Sequence, residues 1–203
     1  MNTVETIIFD LGGVLIDWNP RYVYRTIFDT EEEVEKFLAE VCTFEWNEQQ
    51  DAGRTIAEAN QILIDKFPAY QSEIEAYYDR WTEMLGGAIE ATVSILEEIK
   101  EAQKHRLYAL TNWSAETFPE ALRRYGFLQH FKEILVSGRE KIKKPDPKIY
   151  ELALSRFSID RKTAIFIDDS PKNVKGAESV GLKAIQFQSP EQLRRDLKVL
   201  GVL

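Results

Sequence analysis

Cysteines, long apolar runs and a surplus of basic residues are all missing or scarce in this chain, and each shortage excludes a class of protein. A single cysteine, Cys42, cannot close an internal disulfide, which fits a reducing interior without demanding one. No apolar run approaches the roughly 20 residues that span a bilayer. The opening stretch, MNTVETIIFD, lacks the basic flank and long apolar core of a signal peptide. Together these features predict a cytoplasmic protein with no membrane partner. Lysines and arginines number 26 against 34 acids, a net charge of −8. Nucleic acid, which is bound through basic patches, is therefore not an expected partner. The same field mildly repels small anions, so an anion would need a local site of backbone N–H groups, a cation and a lysine. Low-complexity segments and internal repeats are absent too, and 203 residues suffice for one core or for a core with a smaller appendage.

What is present begins with IIFDLGGVLID, Ile7 to Asp17. An apolar run of this kind reads as a buried strand, yet Asp10 stands at its end and two glycines follow at once. Such an acid is either a strand-end cap beside a tight turn or a charge that performs chemistry. Strand-like runs recur at 106–111, 133–137, 163–168 and 182–187, with helix-patterned segments at 89–103, 114–124, 147–157 and 171–180 between them. This alternation predicts an α/β fold, a Rossmann-like parallel sheet wound on both faces. Nearly a hundred residues separate the first two strands, more than one crossover needs. They carry capping boxes at Thr30/Glu33 and Thr55/Glu58 and an apolar face of Val34, Phe37, Leu38 and Val41. The aromatic stripe Ile74, Tyr77, Tyr78, Trp81 and Leu85 reads as a packed helix face rather than a cofactor box. We therefore expect an α/β core of 1–17 and 87–203 and an inserted helical domain of 18–86, hinged near Asp17–Pro20 and at Gly86-Gly87.

Ligands of open α/β sheets sit beyond the carboxyl ends of the strands. Those ends carry Asp10, then Thr111 and Asn112 in ALTNWS, and Asp168 and Asp169 in IFIDDSPKN, with Lys144 in KKPDPKIY after the third strand of the core. Singly each has a plain structural reading as a helix cap or a surface charge. In GREKIKKPDPK, the densest basic stretch, most lysines read as a solvated loop face. Collectively they imply more: three carboxylates in one crevice repel unless a cation lies among them, and Mg²⁺ prefers such oxygen ligands. With a hydroxyl, an amide and a lysine added, the set suits phosphoryl transfer.

In this order the segments IIFDLGGVLID, ALTNWS, KKPDPKIY and IFIDDSPKNVKGA resemble the four motifs of the haloacid dehalogenase-like (HAD) hydrolases, and the helical insert resembles that family's C1 cap. The resemblance implies that Asp10 is the nucleophile that forms an aspartyl-phosphate. It implies Mg²⁺ held by Asp10, the Gly12 carbonyl and Asp169, with Asp168 close by. Thr111 and Asn112 would bind phosphoryl oxygens, Lys144 would offset charge, and Asn173 would orient Lys144 or the metal shell. The expected substrate is a small phosphorylated metabolite, with sugar phosphates favoured, and the expected state a monomer or weak homodimer.

One departure matters. Phosphatases of this family mostly carry a second aspartate two positions after the nucleophile, as general acid and base, where this chain has Gly12. A residue of the insert, a water or a good leaving group would have to compensate, or turnover would be slow or absent. The segment TFEWNEQQDAGR (43–54), expected as a loop, offers Glu45, Glu48 and Asp51 for the role, with solvent exposure the plainer reading of each, and Trp46 as a substrate contact. Two rivals remain: a metal-free 2-haloacid dehalogenase, which the acidic pair Asp168-Asp169 disfavours, and a non-catalytic binding protein on the same fold, which Gly12 motivates.

Overall fold

A computed structural model describes residues 3–203. Its centre is a five-stranded sheet of β1 (Thr6–Phe9), β4 (Arg106–Thr111), β5 (Ile134–Val136), β6 (Ala164–Asp168) and β7 (Lys183–Gln186), in the order β5-β4-β1-β6-β7 with every pair parallel. This is the doubly wound, Rossmann-like arrangement, with the order reversing at β1. TIIF in β1 and AIFID in β6 are buried throughout, as strands covered on both faces require. Side chains alternate between two cores: Ile7, Phe9, Ile165 and Ile167 face one, Ile8, Tyr108 and Phe166 the other.

A short ribbon, β2 (Ile16–Trp18) antiparallel to β3 (Leu85–Ala88), carries the chain out of the core and back. Between its strands lie α1 (Arg21–Tyr24), α2 (Glu31–Glu40), α3 (Phe44–Asp51), α4 (Ile56–Lys66) and α5 (Gln71–Asp79). Both expected capping boxes form, and Thr43 caps α3 through the Trp46 N–H. The core helices follow: α6 (Glu90–Ala102), α7 (Phe118–Arg124), α8 (Ser137–Glu140), α9 (Pro147–Arg156), α10 (Pro171–Ser179) and α11 (Pro190–Val199). Apolar residues of the insert, among them Tyr24, Phe37 and Trp46, join the same core as one face of the sheet.

Two expectations are corrected here. Gly86-Gly87, expected only as a hinge, are residues of the paired strand β3. A Cβ on Gly86 would lie 2.0 Å from Asp17 Oδ2, and Gly87 holds φ +118, so both glycines answer to the close ribbon. Segment 43–54 is mostly helix, because Thr43 starts it. The boundaries expected after residue 17 and before residue 87 fall inside the ribbon. Among the described residues no helix is long and apolar enough to cross a membrane.

Candidate active site

Sheet register builds the site. Phe9 pairs with Ile167 and the Asp10 N–H donates to the Ile167 carbonyl at 2.8 Å, so Asp10 and Asp168 leave neighbouring strands side by side. Lys144 is fully buried between them, its Nζ 2.8 Å from Asp10 Oδ2 and 2.6 Å from Asp168 Oδ2. The Phe166 ring lies 5.3 Å from the same ammonium. Asp168 also accepts from the Ser170 N–H at 2.8 Å and from Asn173 Nδ2 at 3.0 and 3.1 Å. Asp10 Oδ1 accepts from the Leu11 N–H at 2.7 Å. Oxygens of Asp10, Asp168 and Asp169 all lie within 4.8 Å of one another.

Two carboxylates thus share one buried ammonium, while the third, Asp169, forms no ion pair among the described residues. Burial pushes the Asp10 carboxyl well above its ordinary range; Lys144 opposes that push and Asp168 adds to it. Burial followed by the charge of Asp168 raises Asp169. Desolvation would strip Lys144 of its proton, but the two aspartates outweigh it and hold the lysine above its usual value. Gly13 sits at φ +73 with Asp169 Oδ2 only 2.5 Å from where a Cβ would stand, so glycine is required there. Gly12 is different: a Cβ would meet nothing within 4 Å.

The cluster opens on a cleft of about 650 Å³ between the strand ends and the insert. Asp10, Gly12, Asn112 and Asp169 line it from the core, and Asn47, Glu48 and Asp51 from the insert. Rings of Trp18, Phe44, Tyr78, Trp81 and Trp113 make much of its wall. The insert meets the core through Glu48–Lys143 at 3.2 Å, the Ile56 N–H to Glu116 at 2.8 Å, and an edge contact of Trp81 on Trp113 at 5.6 Å.

Asp10, Lys144, Asp168, Asp169 and Asn173 are brought together, and Asn173 acts on Asp168 rather than on Lys144. Thr111 ends β4 fully buried, its hydroxyl without a partner among the described residues. The Asn112 amide, expected on phosphoryl oxygens, lines the cleft and clamps the Lys144 backbone, accepting its N–H at 2.8 Å and donating to its carbonyl at 2.9 Å. Trp46 is corrected outright. It is buried in the insert, its Nε1–H bonded to the Ala59 carbonyl at 3.1 Å and its ring edge-on to Tyr77, and it does not line the cleft. Glu45 is exposed, whereas Glu48 and Asp51 are partly buried in the cleft wall. Sequence reasoning missed Trp18, Phe44, Asn47 and Trp113. For Phe44 and Asn47 the signal was present: 44, 47, 48 and 51 share one face of a helix, while 46 and 50 face inward.

A doubly wound α/β core with a carboxylate–lysine cluster at its strand ends, roofed by a helical insert, defines a hydrolase architecture. The family model of haloacid dehalogenase-like hydrolases matches residues 4–181, and the chain belongs to that family. It is 32% identical over 186 residues to a sesquiterpene phosphatase of Aspergillus oryzae, covering 91% of this chain and 90% of that one. With a phosphorylated carbohydrates phosphatase of Thermotoga maritima it shares 26% identity over 193 residues, 90% and 84% of the two chains. Its fold is similar to that of a HAD family enzyme of Bacteroides thetaiotaomicron solved with magnesium, at a TM-score of 0.71 and 22% identity over 96% of this chain and 100% of the other.

Proposed function

We propose that the protein is a Mg²⁺-dependent phosphomonoesterase working through an aspartyl-phosphate on Asp10. The observation that carries this reading is the convergence of Asp10, Asp168 and Asp169 on one another, with a single buried lysine paired to the first two. One ammonium offsets one of three charges, so the donor set fits a hard divalent cation held by Asp10, Asp169 and the Gly12 carbonyl, with Asp168 behind them. When bound, Mg²⁺ offsets negative charge shared between the carboxylates and a phosphoryl group. Asp10, fixed by the Leu11 N–H and Lys144, presents a carboxylate oxygen to phosphorus. Lys144, its backbone gripped by Asn112, balances charge as that bond forms. Thr111 offers a hydroxyl without a partner among the described residues, at the adjacent strand end.

The aromatic wall supports a substrate with an apolar body rather than the sugar phosphate that the sequence favoured, and the relative that acts on a sesquiterpene is in keeping with it. Closure of the insert over the crevice would exclude bulk water during the chemistry. The acidic pair Asp168-Asp169 favours phosphate ester hydrolysis over dehalogenation. The deciding experiment compares wild type with Asp10→Asn on p-nitrophenyl phosphate and a panel of phosphomonoesters, with Mg²⁺ and with chelator. Turnover only by wild type with metal is expected. Equal inactivity of both proteins across the panel, or turnover of 2-chloropropionate without Mg²⁺, would overturn the proposal.

A further inference from the structure

We infer that Asp51, carried by the insert, is the group that protonates the leaving oxygen and then activates the hydrolytic water. The inference rests on the phosphomonoesterase reading above. Expelling an alcohol from phosphorus leaves an alkoxide that needs a proton, and a water attacking phosphorus must lose one. Six titratable side chains line the cleft among the described residues: Asp10, Glu48, Asp51, Tyr78, Asp169 and Lys172. Asp10 is bonded to phosphorus during the reaction, and Asp169 belongs to the carboxylate cluster. Glu48 is engaged by Lys143 at 3.2 Å. Tyr78 donates its hydroxyl hydrogen to Asn47 and accepts from Gln50, and burial pushes its acidity far out of the neutral range. A lysine ammonium such as that of Lys172 could give a proton to the leaving oxygen but has no lone pair with which to take one from water. Asp51 is what remains.

Its surroundings suit the task. Asp51 ends α3, partly buried, and enters no ion pair among the described residues. Burial pushes its carboxyl up to about 7, with Glu48 on the same helix adding to the rise. Lys143, Lys144 and the Ser114 N–H from the core oppose it, and Tyr77 and Tyr78 face it from α5. Near neutral pH such a group is present in both forms, as alternate donation and acceptance require.

The two steps balance. In the first, an Asp10 oxygen bonds to phosphorus, the bond to the leaving oxygen breaks, and that oxygen takes the Asp51 proton. In the second, water bonds to phosphorus, the Asp10–phosphorus bond breaks with its electron pair returning to the carboxylate, and Asp51 recovers a proton from the water. The sum is ester plus water to alcohol plus phosphate.

The test is Asp51→Asn in the full chain with Mg²⁺, on an alkyl phosphomonoester and on p-nitrophenyl phosphate. Turnover of the alkyl ester should fall by about 10²–10⁴-fold. First-turnover release of nitrophenolate, which needs no proton, should fall by less than tenfold. An alkyl-to-aryl ratio of first-turnover rates equal to that of wild type would overturn the inference. Asp51→Glu guards against a variant that fails to fold. A displaced pH–rate profile in that protein supports the assignment, and an unchanged one rejects it. Inactivity of wild type on both esters would sink the parent reading, an outcome distinct from an active wild type indifferent to Asp51.

Discussion

The ammonium of Lys144 stands 2.6 Å from a carboxylate oxygen of Asp168, and neither side chain reaches solvent. A buried pair of this kind is weak evidence for net stability, but breaking it is costly because the surviving charge has no water to turn to. Here two surviving charges, Asp10 and Asp168, would face each other. Lys144→Met should therefore lower the unfolding free energy by about 3–5 kcal/mol. It should also abolish turnover, as urea melts and a phosphatase assay would report.

Magnesium should stabilise the folded protein even with no substrate present. At about a hundred times its dissociation constant a ligand adds about 2.7 kcal/mol, a rise of several degrees in thermal midpoint. Asp169→Asn should lose most of that rise. Gly13→Ala should lose it too, since the added Cβ would displace Asp169.

Asp51 makes a prediction about stability that is separate from turnover. Burial pushes its carboxyl up to about 7 from an ordinary value of 3.8, so between those values the folded state binds more protons than the unfolded. Stability then falls as pH rises through that window. Asp51→Asn, which cannot ionise, should gain on wild type from pH 4 to 7 and hold its advantage above, by at most about 4 kcal/mol. Urea melts at pH 5 and pH 8 measure the difference.

Gly12 faces open space, so an acid can be placed there without a clash. Gly12→Asp introduced into Asp51→Asn should raise alkyl phosphomonoester turnover by at least about tenfold relative to the single variant, within the reach of one positioned acid–base group. Steady-state kinetics on the two proteins check it.

Two aromatic residues of α3, two positions apart, should behave oppositely. Trp46→Ala removes a buried ring and the bond its indole N–H makes to the Ala59 carbonyl, at a cost of about 3–5 kcal/mol. Phe44 is 61% exposed at the cleft, so Phe44→Ala should cost within about 0.5 kcal/mol. It should instead raise KM for phosphomonoesters with an apolar body. Chemical denaturation and a KM series separate the two effects.

The sheet and its strand-end residues were legible because parallel strands buried on both faces write themselves as unbroken apolar runs, and each run here stops at a polar residue. The ribbon was not. Three or four residues containing a glycine pair look like a break, and only the close approach of Gly86 to Asp17 explains them. Trp46 misled for a related reason. Read as a loop residue it is free to touch a ligand, but the Thr43 cap sets a helical phase that turns it inward and Phe44, Asn47, Glu48 and Asp51 outward. Asn112 shows a third limit: its grip on the Lys144 backbone joins residues 32 apart in sequence, a closure that no local pattern encodes.

Because β2 and β3 run against each other, the insert departs from and rejoins the core at a single doorway. Lengthening, trimming or exchanging the helices beyond it would leave the order of the five strands untouched. Yet if Asp51 handles the proton, such an exchange would not be neutral: whatever module replaced it would inherit a duty of the chemistry as well as the shape of the roof.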